Sequence, residues 1–294
     1  MDNNGFLRGM RGWSQFFFLW FLFFTGILFG SFILVLGVDV QETDTSARVM
    51  RMSQMISQVF VFLIPALAFS FLCQGSSKTY LKLDGKTNLL FLILAIALIL
   101  VIQPLIDVIA YYNQQMSFPD SMKFLEEKMR NDEQSAKKAV ELLFSDKSIF
   151  GLIFNLLVVA VVAGLAEELF FRGCLQQIML KISKNEHIAV WVTAIIFSAI
   201  HFQFFGFIPR VLLGAVLGYL FVWSRNLWVP VIVHTINNAA GVIFAYIYYG
   251  TSDYEQITAF SLEKNIWFIV PSVILTSILI IVIFNNRKTL KTTK

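Results

Sequence analysis

Long apolar runs dominate the hydrophobicity pattern of the chain, and short polar connections separate them. Because about 20 apolar residues span the hydrocarbon core of a bilayer as a helix, these runs predict membrane spans. Eight runs qualify by this criterion, at residues 16–37, 55–73, 88–111, 150–179, 188–202, 208–223, 227–248 and 266–284, of which the fifth and sixth are short. The pattern therefore predicts an all-α fold, a polytopic membrane helical bundle of about eight transmembrane helices.

One polar segment, residues 113–147, interrupts the apolar pattern. Its apolar residues recur with partly helical spacing, which predicts an amphipathic helix at the membrane surface. We expect three N-terminal spans in residues 1–112, an extramembrane connector in residues 113–147, and five spans that carry the chemistry in residues 148–294. The three parts should form a single integrated membrane domain.

The composition favours membrane insertion over a soluble fold. Of the 294 residues, 57% are hydrophobic and 14% are charged, whereas a soluble domain averages about 45–50% apolar and about 25% charged residues. An apolar outer surface added to an apolar core accounts for the excess. We expect a multi-pass protein whose first partner is the lipid bilayer.

The net charge of +4 does not indicate nucleic-acid binding, because the basic residues cluster beside the apolar spans. This distribution follows the positive-inside bias, and it predicts cytoplasmic termini in a protein of the cell membrane. Six basic residues in segment 113–147 fall on the opposite side and weaken that orientation. The two cysteines, Cys73 and Cys174, show neither CxxC nor metal-ligand spacing.

Polar side chains inside the apolar runs are the candidate functional residues. A charged group at membrane depth costs about 2.5–3.5 kcal/mol on insertion scales, so its presence there is a functional hypothesis by default. The set consists of Gln103, Asp107, Glu167, Glu168, Arg172, His201, Arg210, His234, Asn237 and Asn238.

Four of these groups are expected at a common depth. Counted from the cytoplasmic end of each helix at 1.5 Å per residue, Glu167 and His201 both lie about 21 Å deep. By the same count Asn238 lies about 20 Å deep and His234 about 13 Å deep. Side chains from three separate helices should therefore converge in one layer about 8 Å thick.

The spacing of these residues indicates distinct chemical roles. Glu168 and Arg172 are four residues apart on one helix face, where they can pair and enter the membrane together. Glu167 points about 100° away around the helix and is free to act as a general base in a water-filled cavity. His234 and Asn238, also four residues apart, could donate hydrogen bonds to a developing oxyanion.

Other interpretations of the same residues stay open. A structural salt bridge explains the glutamate–arginine spacing equally well, and His and Asn side chains also join membrane helices without catalysis. Transporters use intramembrane Glu, His and Arg too, although the chain has neither an internal repeat nor paired broken helices. The remaining alternative is a non-catalytic peptide-binding or immunity protein of the membrane.

Three short motifs in a fixed order are similar to those of a known family. EELFFR at 167–172 fits EExxxR, FSAIH at 197–201 fits FxxxH, and HTINN at 234–238 fits HxxxN. In this order they resemble the CPBP family, which includes CAAX prenyl endopeptidases, bacteriocin-processing enzymes and Abi-type proteins. The resemblance implies a hydrolase, an intramembrane endopeptidase whose peptide or protein substrate could carry a lipid at its C-terminus.

The resemblance also implies a role for each residue of the motifs. Glu167 would activate the attacking water with help from His201. His234 and Asn238 would stabilise the oxyanion, and Glu168 and Arg172 would support the site.

A metal requirement is not decided by the sequence. The chain lacks HExxH, but two histidines and one glutamate suffice for a zinc site with an open coordination position. Glu167, His201 and His234 are therefore candidate zinc ligands, beside the alternative in which Glu and His activate water directly.

Overall fold

The computed structural model describes residues 5–37, 47–86, 88–251, 253–254 and 262–287. We label nine helices in this part of the chain, which contains no β-strand. They are α1 Gly12–Gly37, α2 Ala47–Gln74, α3 Leu89–Gln114, α4 Lys123–Leu143, α5 Ile149–Ser183, α6 Glu186–Ala199, α7 Phe207–Ser224, α8 Trp228–Tyr248 and α9 Leu262–Asn286.

The predicted all-α, multi-pass bundle is confirmed, with one difference in the number of full spans. Among the described residues, α1, α2, α3, α5, α7, α8 and α9 are long and apolar enough to cross a membrane. The fifth predicted run forms α6, which has 14 residues and is about 21 Å long. Helix α6 stops early because the chain turns after Ala199, where Phe202 adopts a left-handed conformation with φ of 54°.

The outer faces of the peripheral helices carry apolar side chains that have no protein to cover them. Phe17 and Leu28 on α1 and Trp267 on α9 are each more than 60% exposed. Side chains of this kind meet lipid tails in a membrane protein. On its inner face, α1 packs against α2 so closely that a Cβ at Gly26 would collide with the carbonyl group of Phe60.

An aromatic cluster joins α1, α2 and α5 at the core. The ring of Phe170 lies 5.5 Å from that of Phe23 and 5.6 Å from that of Phe62, centroid to centroid. Phe170 and its neighbour Phe171 are fully buried. This cluster holds the middle of α5 in a fixed position within the bundle.

Helix α4 lies in the polar segment and is tied to the bundle by one buried arginine. Arg51 of α2 donates to Asn155 Oδ1 at 2.8 Å, to Asp146 Oδ2 at 2.9 Å and to the carbonyl of Leu143 at 3.2 Å. Hydrogen bonds from Ser148 and Arg51 lower the pKa of Asp146 to about 2. The end of α4 is therefore anchored to α2 and to the start of α5.

Helix α5 is unusually long, with 35 residues, or about 50 Å. Two π-helical stretches, Leu156–Val162 and Leu169–Leu175, flank a short α-helical stretch that carries two adjacent glutamates. π-Helical turns are often found at functional sites. At Gly164 a Cβ would lie 2.7 Å from Thr235 Oγ1, so the absence of a side chain lets α8 cross α5 closely.

Candidate functional site

A fully buried ion pair forms the base of the site. Arg172 Nη1 donates to Glu168 Oε1 at 2.6 Å, and both side chains have 0% exposure. Arg172 Nη2 donates to the carbonyl of Gly214 at 2.8 Å, and the guanidinium lies 4.9 Å from the centroid of the Phe197 ring. The pair expected from the i, i+4 spacing is present, and it ties α5 to α6 and α7.

The same carboxylate orients His234. The distance from His234 Nδ1 to Glu168 Oε1 is 2.8 Å. Because an ionised carboxylate only accepts hydrogen bonds, Nδ1 is the donor. His234 Nε2 then faces Glu167, 3.9 Å from its Oε2 atom. Glu168 therefore holds the imidazole against the neighbouring glutamate, a specific contact that the sequence analysis did not predict.

His201 lies in the turn after α6, so the prediction that it belongs to a helix is wrong. Its Nδ1 atom is 2.7 Å from the carbonyl oxygen of Phe197. A carbonyl can only accept, so Nδ1 carries the hydrogen, and the neutral ring keeps Nε2 as an acceptor. The left-handed turn at Phe202 directs the chain away immediately afterwards.

Glu167 is buried, with 8% exposure, and accepts a hydrogen bond from outside the motif-bearing segment. The donor is Gln58 Nε2 of α2, at 2.9 Å from Glu167 Oε1. Sequence reasoning missed Gln58, although an amide side chain within the apolar run 55–73 was a usable signal. Intramembrane polar residues need a partner, and here that partner is the candidate base.

A row of amide side chains continues from Asn238 towards α3. Asn238 Nδ2 donates to the carbonyl of Val159 at 3.1 Å, and Asn237 Nδ2 lies 3.4 Å from Asn238 Oδ1. Gln103 Nε2 donates to Asn237 Oδ1 at 2.9 Å. These contacts orient the Asn238 side chain. Asp107, the other polar residue noted on the third run, is exposed and takes no part.

One cavity of about 390 Å³, here called the polar cavity, brings the four candidate catalytic residues together. Side chains from α2, α3, α5, α6, α7 and α8 form its wall. Its polar lining consists of Gln54, Glu167, His201, Arg210, His234, Asn237 and Asn238.

A second cavity of about 460 Å³, here called the apolar cavity, lies between α1, α2 and the turn after α6. Its wall is mostly aromatic and aliphatic. The lining includes Trp20, Phe23, Phe24, Ile27, Leu34, Val61, Phe62 and Phe202. Gln54, Glu167 and His201 line both cavities, so the glutamate and one histidine stand at their junction.

The candidate zinc ligands do not form a metal site as they are arranged. Among the described residues, no three His, Cys, Asp or Glu side chains lie close enough together to hold a metal ion. These side chains are therefore not arranged as a zinc site, and the proposed chemistry uses no metal.

Comparisons with known proteins concern the segment that contains these residues. Residues 149–240 match the family model of the Rce1-like type II CAAX prenyl endopeptidases. An uncharacterized Bacillus subtilis protein, YpbD, is 36% identical over 101 residues, which cover 33% of this chain and 47% of that protein. An uncharacterized 24.3 kDa protein of Escherichia coli is 31% identical over 110 residues, covering 35% and 49%.

The chain thus spans about half the length of the curated relatives it matches. No solved structure is significantly similar to it.

Proposed function

We propose that this chain, whose residues 149–240 carry the Rce1-like segment of the CPBP family, is an intramembrane endopeptidase that hydrolyses a peptide bond with a glutamate-activated water. One observation carries the proposal. Glu167, His201, His234 and Asn238, contributed by two helices and one turn, line a single cavity among helices that are long and apolar enough to cross a membrane. A buried carboxylate that shares a cavity with two imidazoles is an arrangement suited to proton transfer.

Glu167 is the proposed general base. In the first step its carboxylate removes a proton from water as the water oxygen attacks the carbonyl carbon of the scissile peptide bond. His201 Nε2, left as an acceptor by the bond from Nδ1 to Phe197, holds the second hydrogen of this water. Gln58 keeps one carboxylate oxygen of Glu167 in place, so the other oxygen takes the proton.

His234 and Asn238 are the proposed oxyanion donors. In the imidazolium form both ring nitrogens of His234 carry hydrogen, and with Nδ1 engaged by Glu168, Nε2–H is left for the oxyanion. One hydrogen of the Asn238 amide is bound to Val159, and the other is available. Glu167 then passes its proton to the leaving amine as the C–N bond breaks, which balances the hydrolysis.

The apolar cavity supports an apolar substrate group beside the cleaved bond. A large side chain or a lipid attached near the C-terminus of a peptide would suit its aromatic and aliphatic lining. We expect the peptide to enter as an extended segment, because helical carbonyls are already hydrogen-bonded. Residence in the cell membrane, with cytoplasmic termini, is part of the same proposal and rests on the distribution of basic residues.

The test is cleavage of a synthetic peptide library by purified protein in liposomes, read by mass spectrometry. We expect Glu167→Gln to reduce cleavage by about 10²–10⁴-fold, the usual contribution of a general base. Glu127→Gln, a change of an exposed glutamate on α4, is the matched control and should cleave normally. Adding a chelator should leave the rate unchanged, since the proposed steps use no metal.

Full activity of a folded Glu167→Gln protein would exclude this mechanism. Binding of peptides by wild type and Glu167→Gln alike, with no cleavage by either, would instead support a peptide-binding or immunity protein. Flux of a solute into protein-containing liposomes would support a transporter.

A further inference from the structure

Arg210 is a charged residue of the polar cavity that the proposed mechanism does not use. It lies in the first turn of α7, is half-buried, and lines the cavity together with the four proposed catalytic residues. Its Nη1 atom is buried and has no hydrogen-bond partner among the described residues. A guanidinium carries five N–H donors in a planar fork, so a buried donor left unpaired is energetically unfavourable.

The loop between α6 and α7 positions this guanidinium. Arg210 Nη2 donates to Gln203 Oε1 at 2.6 Å, in the loop between α6 and α7. Residue 206 of the same loop is glycine, and a Cβ there would lie only 3.1 Å from Nη2. The loop that follows His201 therefore both holds the guanidinium and leaves room for it.

The charges around Arg210 do not neutralise it by direct pairing. Glu167 on α5 and Glu133 on α4 are the carboxylates that act on it through space. Among the ion pairs of the described residues, Arg172 pairs with Glu168 and Arg51 with Asp146, while Arg210 has no carboxylate within 4 Å. Its fork is thus available to an anion that enters the cavity.

We propose that Arg210 binds a carboxylate group of the peptide substrate, so that this inference rests on the proposed endopeptidase function. Arginine matches a carboxylate with two parallel N–H···O bonds. The carboxylate has two chemical sources in a peptide, its C-terminal group or the side chain of Asp or Glu. Either source makes Arg210 a specificity-determining residue rather than a catalytic one.

The experiment uses a synthetic library in which every peptide is present as the free acid and as the C-terminal amide. A further set of amides carries Asp or Glu at one to four residues from the cleaved bond. We expect wild type to cleave carboxylate-bearing peptides about 10- to 100-fold better than matched amides, mainly through KM. Arg210→Gln should lose this preference, so that it cleaves free acids and matched amides at equal rates.

Three further variants separate binding from structural effects. Arg225→Gln, at the other end of α7 and outside the polar cavity, should keep the preference. Gly206→Ala retains the charge but displaces the guanidinium, and should weaken the preference severalfold. Glu133→Gln removes a competing carboxylate and should leave the preference intact or strengthen it. If Arg210→Gln and Glu133→Gln lost the preference for carboxylate-bearing peptides equally, Arg210 and Glu133 would form a structural pair, and the inference would be overturned.

The two proposals fail in distinguishable ways. Equal cleavage of acids and amides by wild type would overturn the role of Arg210 and leave the endopeptidase intact. If the library is not cleaved at all, the endopeptidase proposal loses support, and equilibrium binding of the same peptide pairs to Glu167→Gln in liposomes decides the role of Arg210. Equal binding of acid and amide there would overturn it as well.

Discussion

The polar and apolar cavities differ in the contacts that each offers to the side chains lining both of them. On the polar side, Glu167 faces His234, whose ring is held by the buried Glu168–Arg172 pair. On the apolar side, the same carboxylate borders aromatic rings of α1 and α2 and meets one amide, that of Gln58. In the proposed mechanism the polar side supplies the groups that move protons, and the apolar side supplies an apolar surface for substrate.

This difference also separates the proposed chemistry from local packing within the molecule. The hydrogen bonds of the polar cavity join α3, α5, α7 and α8, whereas the apolar cavity depends on α1, most of whose other surface is exposed. Changes to the four proposed catalytic residues on the polar side should therefore strongly reduce the rate of the reaction. Changes on the apolar side should alter which substrate is accepted.

The largest effect is expected for the histidines. His201→Ala and His234→Ala should each reduce kcat/KM by about 10²–10⁴-fold, because both rings contact the reacting groups in the proposed mechanism. His201 lines both cavities, but His234 lines only the polar one. Cleavage of the peptide library in liposomes measures both. Normal cleavage by His234→Ala would contradict the proposed mechanism and indicate that the reaction takes place on the apolar side.

The buried ion pair should be the next most sensitive feature, with an effect on stability. Arg172→Met leaves Glu168 buried without its cation and should lower the free energy of unfolding by about 3–5 kcal/mol. Arg130→Met is the matched control, because Arg130 pairs with Glu126 at the same i, i+4 spacing but is 48% exposed. The control should lose about 0–1 kcal/mol.

Thermal unfolding in detergent compares these two variants directly. Equal melting temperatures for the two variants would show that burial of the Glu168–Arg172 pair has no structural importance.

A smaller loss of activity is expected at Gln58. Gln58→Leu removes the hydrogen bond to Glu167, and a bond to a charged group is worth about 1.5–3 kcal/mol, so kcat should fall about 10- to 100-fold. Gln15→Leu is the control, since Gln15 is an equally buried amide, 4% exposed, that binds the carbonyl of Leu7 outside both cavities. It should affect stability alone. Equal activities of the two variants would show that Gln58 makes no contribution to the site.

The smallest effect is expected from filling the apolar cavity. Gly30 lines this cavity, and a Cβ there would make ordinary contact with Phe60 at 3.4 Å. Gly30→Leu should raise KM severalfold for peptides with a large apolar group beside the cleaved bond, and leave small peptides unaffected. Gly241→Leu, where an added Cβ meets nothing within 4 Å, is the control. An unchanged substrate range in Gly30→Leu would show that the apolar cavity does not bind the substrate.

The fold was largely predictable because membrane spans leave a strong signal in sequence. A helix that faces lipid must be apolar over its whole length, so its approximate limits are visible without any knowledge of its neighbours. The exception is α6, whose apolar run suggests a helix to residue 202 although the helix stops at Ala199. The sequence gives no signal for the left-handed conformation of Phe202, because that conformation depends on contacts made by the loop that follows.

The candidate site was predictable to the extent that charge is costly in a membrane. This single physical fact singles out Glu167, His201 and His234, and the i, i+4 spacing singles out the Glu168–Arg172 pair. The spacing carries no information on the contact between Glu168 and His234, which are 66 residues apart. The partnership of Gln58 with Glu167, across 109 residues, is equally hidden.

The sequence by itself determined that this protein is a multi-pass helical bundle with ionisable groups inside its apolar runs, because helical period and hydrophobicity are local properties. Only the tertiary structure decided that Glu167 lies between two cavities, that Glu168 orients His234, and that Arg210 has an unpaired donor in the polar cavity. The physical reason is that such contacts depend on the angle and register at which distant helices pack. Side chains throughout both helices set that angle together, so no short motif encodes it.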